Sequence, residues 1–128
     1  PAVAQLEAIR DLWQSWSWWQ LVPDVDQPIV EEERGTRWTG DEMLDVLDND
    51  YVTAARTPDG SLAVVYVPTR RTLRLNLSLV PRTATLAWID PADAGGPSRV
   101  AEIDRNGNVS TPGPNSGGDE DWLLVITP

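Results

Sequence analysis

From Tyr51 onward, apolar residues come in short runs with a two-residue period, and each run stops at Pro, Gly, Asn or Asp. No other feature limits the fold as much. Period two sends alternate side chains to opposite faces of a strand, and closely spaced turn residues leave no room for crossover helices. Tyr51–Thr57 and Ser61–Val67 flank Pro58-Asp59-Gly60, a tight-turn sequence in which Gly can take positive φ, so the two are expected to form a hairpin. In Thr72-Leu73-Arg74-Leu75-Asn76-Leu77-Ser78 the alternation is strict: the three Leu should face a core and the other four residues water. Thr83–Ile89 reads as a further strand, ended by Asp90-Pro91. Arg99–Asp104 is expected to pair with Asn108–Thr111 across Asn106-Gly107, a type I′ turn signal, and Trp122–Thr127 closes the set. Roughly seven short strands with no helical pattern between them predict a mainly β chain, an antiparallel β-sandwich with one N-terminal amphipathic helix.

The helix precedes the strands. Leu6, Ile9, Trp13 and Trp16 recur at steps of three and four, which places them on one stripe of a helix starting near Ala2 and ending near Ser15 or Ser17. Trp18-Trp19-Gln20-Leu21-Val22 should then be extended, since Pro23 biases Val22 away from helical angles. Trp13, Trp16, Trp18 and Trp19 are four of the seven Trp of the chain. One helix cannot bury that much aromatic area alone, and the chain begins at Pro1 without an initiator Met or a leader. Residues 1–17 are therefore expected to belong to the seam with a preceding domain, and residues 18–128 to form the sandwich. The segment between Asp24 and Asp50 reads as a long irregular connection in which Thr39-Gly40-Asp41-Glu42 could cap a helical turn through Leu47.

Composition excludes several kinds of function. The 128 residues suffice for one domain that buries roughly two-thirds of its unfolded surface. Twenty acids stand against ten bases, all Arg, for a formal charge of −10; such a surface repels phosphate backbones, so neither nucleic acid nor an anionic membrane is expected as a partner. There is no Cys or His, hence no disulfide, no thiolate or His-ligated metal site and no Ser–His or Cys–His nucleophile. Gly95-Gly96 and Gly117-Gly118 lack the order of a phosphate-binding loop. Paired carboxylates could hydrolyse a glycoside, but acids such as Asp59, Asp93 and Asp119 sit in turn sequences that account for them by capping and solvation. No catalytic residue is assigned. Asp104–Asn108 offers oxygen ligands at alternate positions as calcium loops do, yet its twelfth position is Asn115 instead of a bidentate Glu, and Gly117–Asp121 reads as a solvated acidic loop. A turn is the stronger reading of both, and no metal or cofactor is expected.

Several stretches, taken in order, resemble one family. Trp18-Trp19-Gln20-Leu21-Val22-Pro23-Asp24, then Ala54-Ala55-Arg56 with Asp59-Gly60-Ser61 and Ala63-Val64-Val65-Tyr66-Val67-Pro68-Thr69, then Ala87-Trp88-Ile89-Asp90-Pro91, and Asp121-Trp122-Leu123-Leu124-Val125 look like the putative collagen-binding domain of a collagenase. The chain departs at Asp90-Pro91-Ala92-Asp93-Ala94-Gly95, where that family usually has Asp-Pro-Arg-Thr-Gly. The resemblance implies a non-catalytic C-terminal accessory sandwich, carried by an extracytoplasmic or secreted protein behind a DUF4038-type glycoside hydrolase-like barrel. It also implies that the helix before the Trp-rich motif is the last of that barrel. Trp13, Trp16, Trp18 and Trp19 would border the seam with it. The alternative is an autonomous module binding collagen or polysaccharide, for which Trp38, alone in a polar loop, is the candidate contact. Glycosidase activity of the domain itself is the lesser alternative. Trp88, Trp122 and Tyr66 are expected in the packing of strands.

Overall fold

The computed structural model describes residues 2–26, 28–35 and 50–128. The chain opens with helix α1 (Ala2–Gln14), followed by a 3-10 turn, η1 (Trp18–Gln20). Among the described residues, nine strands then build two antiparallel sheets. They are β1 (Val22–Pro23), β2 (Val30–Glu32), β3 (Thr53–Arg56), β4 (Ala63–Val67), β5 (Thr72–Leu75), β6 (Thr85–Ile89), β7 (Arg99–Val100), β8 (Asn108–Ser110) and β9 (Trp122–Thr127), with a second 3-10 turn, η2 (Pro91–Asp93), after β6. One sheet runs β1-β3-β4-β9-β6-β7 and the other β2-β5-β8. The expected β-sandwich is thus the observed class.

The core lies between the sheets. Alternation in β4, β5 and β9 delivers Val65, Val67, Leu73, Leu75, Trp122, Leu124 and Ile126 to it, joined by Ile29, Val30, Val52 and Trp88. Trp122 is fully buried and donates its indole N–H to the Gly113 carbonyl at 2.6 Å, giving the one polar group of the ring the partner that burial demands. Tyr66 departs from the expected packing role: it points off the other face of β4 and donates to Asp121 Oδ2 at 3.2 Å.

The hairpin β3–β4 forms as expected. Thr53 to Arg56 pair with Tyr66 to Ala63, and Gly60 sits in the turn at φ 72°. Three other expectations are corrected. Strand β5 stops at Leu75 because Asn76 Oδ1 accepts from Ser78 N and its carbonyl accepts from Leu79 N; this local turn competes with the ladder and leaves Leu77 exposed. Trp18–Gln20 is a 3-10 turn instead of an extended run, since no strand among the described residues pairs with it and the i+3 bonds Gln20 N to Ser17 O and Leu21 N to Trp18 O supply partners locally. Arg99–Asp104 and Asn108–Thr111 do not form a continuous hairpin. Instead β7 pairs with β6 and β8 with β5, so residues 101–107 cross from one sheet to the other, with only Ile103 bridging Val109. The turn is not type I′, because among the described residues the only non-glycine at positive φ is Glu33 and Asn106 therefore is not. Gly107 alone is left-handed (φ 90°), and a Cβ there would lie 2.5 Å from the Leu75 carbonyl oxygen.

Between β1 and β2, one carboxylate links the two sheets. The Asp24 side chain is wholly buried and accepts from Ile29 N at 2.6 Å, Arg34 Nη2 at 3.0 Å and Arg56 Nε at 3.1 Å. Arg34 lies beyond β2 and Arg56 ends β3, so a single anion holds the edge of each sheet. Arg71 performs a similar task at the start of β5, donating to the carbonyls of Glu33 and Asp50 at 2.8 and 2.7 Å. Removing a buried charge partner strands the other charges, at a cost of about 3–5 kcal/mol. Asp24→Ala is therefore expected to lower the unfolding free energy by about 3 kcal/mol or more, read from urea denaturation midpoints; a change below about 1 kcal/mol, the range of exposed pairs, would show that the anion does not brace the sheets.

Candidate functional site

Helix α1 is built from good helix formers (Ala, Gln, Leu, Glu and Arg), but it lies on the domain by a narrow stripe. Ala8 and Leu12 are its half-buried positions, and Trp16, in the turn that follows it, continues the same step of four. Ala8 abuts the turn after η2, where a Cβ added at Gly95 would sit 3.2 Å from its methyl. Trp16 lies with Leu21, Ile89 and Leu123 on a second apolar cluster, Leu62, Val64 and Val125, on the outer face of the six-stranded sheet. The stripe read from the sequence is thereby split. Trp16 turns to the sheet, whereas Leu6, Ile9 and Trp13 remain exposed, Leu6 at 67%.

Trp13 meets Trp16 edge-to-face with centroids 5.5 Å apart, and Trp18 meets Trp19 at 6.4 Å. Trp18 and Trp19 are 51% and 67% exposed, and Val3, Val22 and Val25 are exposed apolar residues of the same N-terminal segment. Between Trp13 and Trp18 lies a shallow hollow of about 470 Å³, completed by Arg10 and Gln14. Trp38 lies outside the described residues. No helix among the described residues is long and apolar enough to cross a membrane.

A second concavity, not foreseen from the sequence, opens where the chain crosses between sheets. It is a groove of about 580 Å³ between the edge strands β7 and β8, lined by Trp88, Arg99, Glu102, Asn108, Ser110 and Pro112 among others. The guanidinium of Arg99, part of that lining, sits 4.9 Å from the centroid of the buried Trp122 ring. Only the exposed polar residues on two short strands hinted at it. The pairing of Arg99 with a Trp twenty-odd residues later has no local signature.

With the geometry in view, comparison with known proteins identifies the domain. The family model "Putative collagen-binding domain of a collagenase" matches residues 42–127, and the chain belongs to that family. The Trp18–Asp24 motif precedes the matched region. No curated protein matches the chain. Among solved structures it is similar to a glycoside hydrolase family 5 protein from Bacteroides vulgatus ATCC 8482, with 17% identity and a TM-score of 0.66 over 99% of this chain and 24% of that one. A second similar structure, a "Glycoside hydrolase", shows 21% identity and a TM-score of 0.64 over 96% of this chain and 24% of the other. Identities this low establish likeness of fold, and this chain spans about a quarter of either protein.

The carboxylates with shifted titration have the surroundings of turn ties. Asp59 is held down to about 2 by the Ser61 side chain and then by backbone N–H bonding, chiefly from Ser61. Burial pushes Asp90 up, but the Ser116 backbone and side chain, with the Ala92 and Asp93 amides, outweigh it and hold the group below the ordinary value. Asp104 is lowered by the Asn108 side chain and backbone and by the Asn106 and Gly107 amides. A general acid needs the opposite shift. Asp104 Oδ1 accepts from Asn106 N and Asn108 N, and Oδ2 from Asn108 Nδ2, so the loop weighed for calcium is closed by its own hydrogen bonds. In the acidic loop, the buried Asn115 accepts from Gly117 N and Asp119 N and donates to Asp121. Among the described residues no three acids converge as a metal site would require.

A carboxyl lowered in the folded state contributes stability that is full above its unfolded value, near 3.9, and is lost as pH falls through the folded value. The melting-temperature difference between the native chain and Asp59→Asn is therefore expected to be constant from neutrality to about pH 5 and to shrink between about pH 4 and 2. A difference that grows on acidification would contradict the assigned hydrogen bonds.

Proposed function

We propose that this domain is the non-catalytic C-terminal accessory module of an extracytoplasmic glycoside hydrolase-like protein, packed on the catalytic barrel of its own polypeptide, with binding of collagen or polysaccharide secondary to that docking. The observation that carries this reading is the roll of α1. Its small contact with the sandwich leaves Val3, Leu6 and Trp13 on the surface, with Trp18 and Trp19 exposed just beyond it, and exposed apolar side chains gathered in one segment mark a contact surface. Both similar structures are glycoside hydrolases about four times as long as the matched region, which supports a neighbour in the same chain as the occupant. Residues 1–17 then form the seam and residues 18–128 the sandwich proper, as the exposed side of α1 suggests.

Trp13 and Trp18 would anchor the contact, since their hollow suits an apolar side chain from the barrel, and Trp19 would border it. Trp16 would act from beneath, fixing the helix through its seat on the sheet. The family to which the chain belongs favours direct polymer binding as a second role, for which Trp38 remains the sequence-derived candidate. In the full-length natural polypeptide, Trp13→Ser with Trp18→Ser should weaken the coupling between barrel and module by at least about 2 kcal/mol, the scale of central aromatic anchors. Calorimetry should then resolve one cooperative transition into two. A double variant that melts in the same single transition as the native polypeptide would refute docking through these rings.

A further inference from the structure

The docking ridge accounts for the apolar surface, but not for the groove between β7 and β8. Its rim carries two charged side chains of opposite sign, Arg99 and Glu102, whose charged ends form no ion pair or hydrogen bond among the described residues. Arg99 is nonetheless positioned, since its guanidinium lies 4.9 Å over the Trp122 ring. A guanidinium held over a ring by cation–π attraction still has N–H donors to offer another partner. Across the groove stand the Asn108 amide and the Ser110 hydroxyl; Asn108 Nδ2 is engaged by Asp104, and the Ser110 and Thr72 oxygens are 2.7 Å apart. Val100, Ile103 and Pro112 supply apolar lining between these polar groups.

We infer that this groove is a binding site for a neutral saccharide chain. A sugar hydroxyl both donates and accepts, and a vicinal pair can meet a guanidinium or a carboxylate two bonds at a time, so free groups of both signs on one rim match a polyol. A polyanion would meet Glu102 and a chain of net charge −10, whereas a polycation would meet Arg99. The apolar lining suits the C–H faces of sugar rings. At about 580 Å³ the groove falls within the range that holds a small ligand, enough for a short run of rings. It lies between two edge strands, so a longer polymer could continue past it. This assignment deepens the ligand-binding part of the proposed function and does not depend on docking, which uses other residues.

The test uses the 128-residue chain itself, whose core closes between its own two sheets. A panel of neutral gluco-, manno-, xylo- and galacto-oligosaccharides is titrated by calorimetry and by NMR, with a gelatin peptide and a uronic-acid oligomer alongside. At least one neutral oligosaccharide is expected to bind, with an affinity that hardly changes with salt. Arg99→Gln and Glu102→Gln should each weaken it about tenfold, the loss of a charge-assisted hydrogen bond. Arg105→Gln, an exposed site outside the groove lining, should leave it unchanged. Unaltered melting temperatures of the variants would separate lost binding from lost folding. Binding of no neutral oligosaccharide, binding of only the gelatin peptide or the uronic acid, or equal affinity in all three variants would each overturn the assignment. None of those results would bear on the Trp13 and Trp18 contact.

Discussion

Trp16 on the outer face of the six-stranded sheet decides how the N-terminal segment is presented. Its half-buried ring, together with Leu21, covers Leu62, Val64 and Val125, and a helix can turn only one side toward a surface. Once Trp16, Leu12 and Ala8 take that side, residues at steps of three from Val3 through Leu6 and Ile9 must face away. The apolar surface of α1 is therefore a geometric consequence of one anchored indole. Its edge-to-face contact with Trp13 extends the same constraint to the first exposed ring.

Beneath this segment the sandwich is braced by polar groups placed where sheets would otherwise separate. Asp24 joins the loop before β2, Arg34 and the end of β3 through one buried carboxylate. Arg71 ties the Glu33 and Asp50 carbonyls to the start of β5. At the opposite edge of the six-stranded sheet from β1, the crossing of residues 101–107 leaves β7 paired on one side only, and β8 met on its second side by the Ile103–Val109 bridge alone. That arrangement produces the groove. The exposed aromatic ridge and the groove thus arise from separate local decisions, one in the roll of a helix and the other in a chain that changes sheets.

Local signals were legible in the sequence. The Pro58-Asp59-Gly60 turn, the alternation through Leu73 and Leu75, and the helical spacing before Trp16 each depend on residues a few positions apart, and all three correspond to observed elements. What escaped depended on competition or on distance. Asn76 ended β5 before Leu77 could join the core, because an Asn turn satisfied the backbone first. Asn106-Gly107 signalled a hairpin, but Asp104 captured the amides of Asn106 and Asn108 and gave a different turn. The Asp24–Arg56 pair spans thirty-two positions, so nothing in a local pattern could reveal it. For the site, the four clustered Trp were visible at once, but which ring turned inward was decided by Leu62, Val64 and Val125, far along the chain.

If the outward rings of α1 and η1 are the proposed seam, their solvent contact must disappear when the proposed barrel is present. Hydroxyl-radical footprinting of tryptophans, in this chain alone and in a full-length polypeptide that carries the proposed barrel, reads that directly. Trp13, Trp18 and Trp19 should be several-fold less reactive in the full-length protein, with Trp88 and Trp122, already buried, unreactive in both. Equal reactivity of the three outer rings in the two proteins would contradict the account at its base.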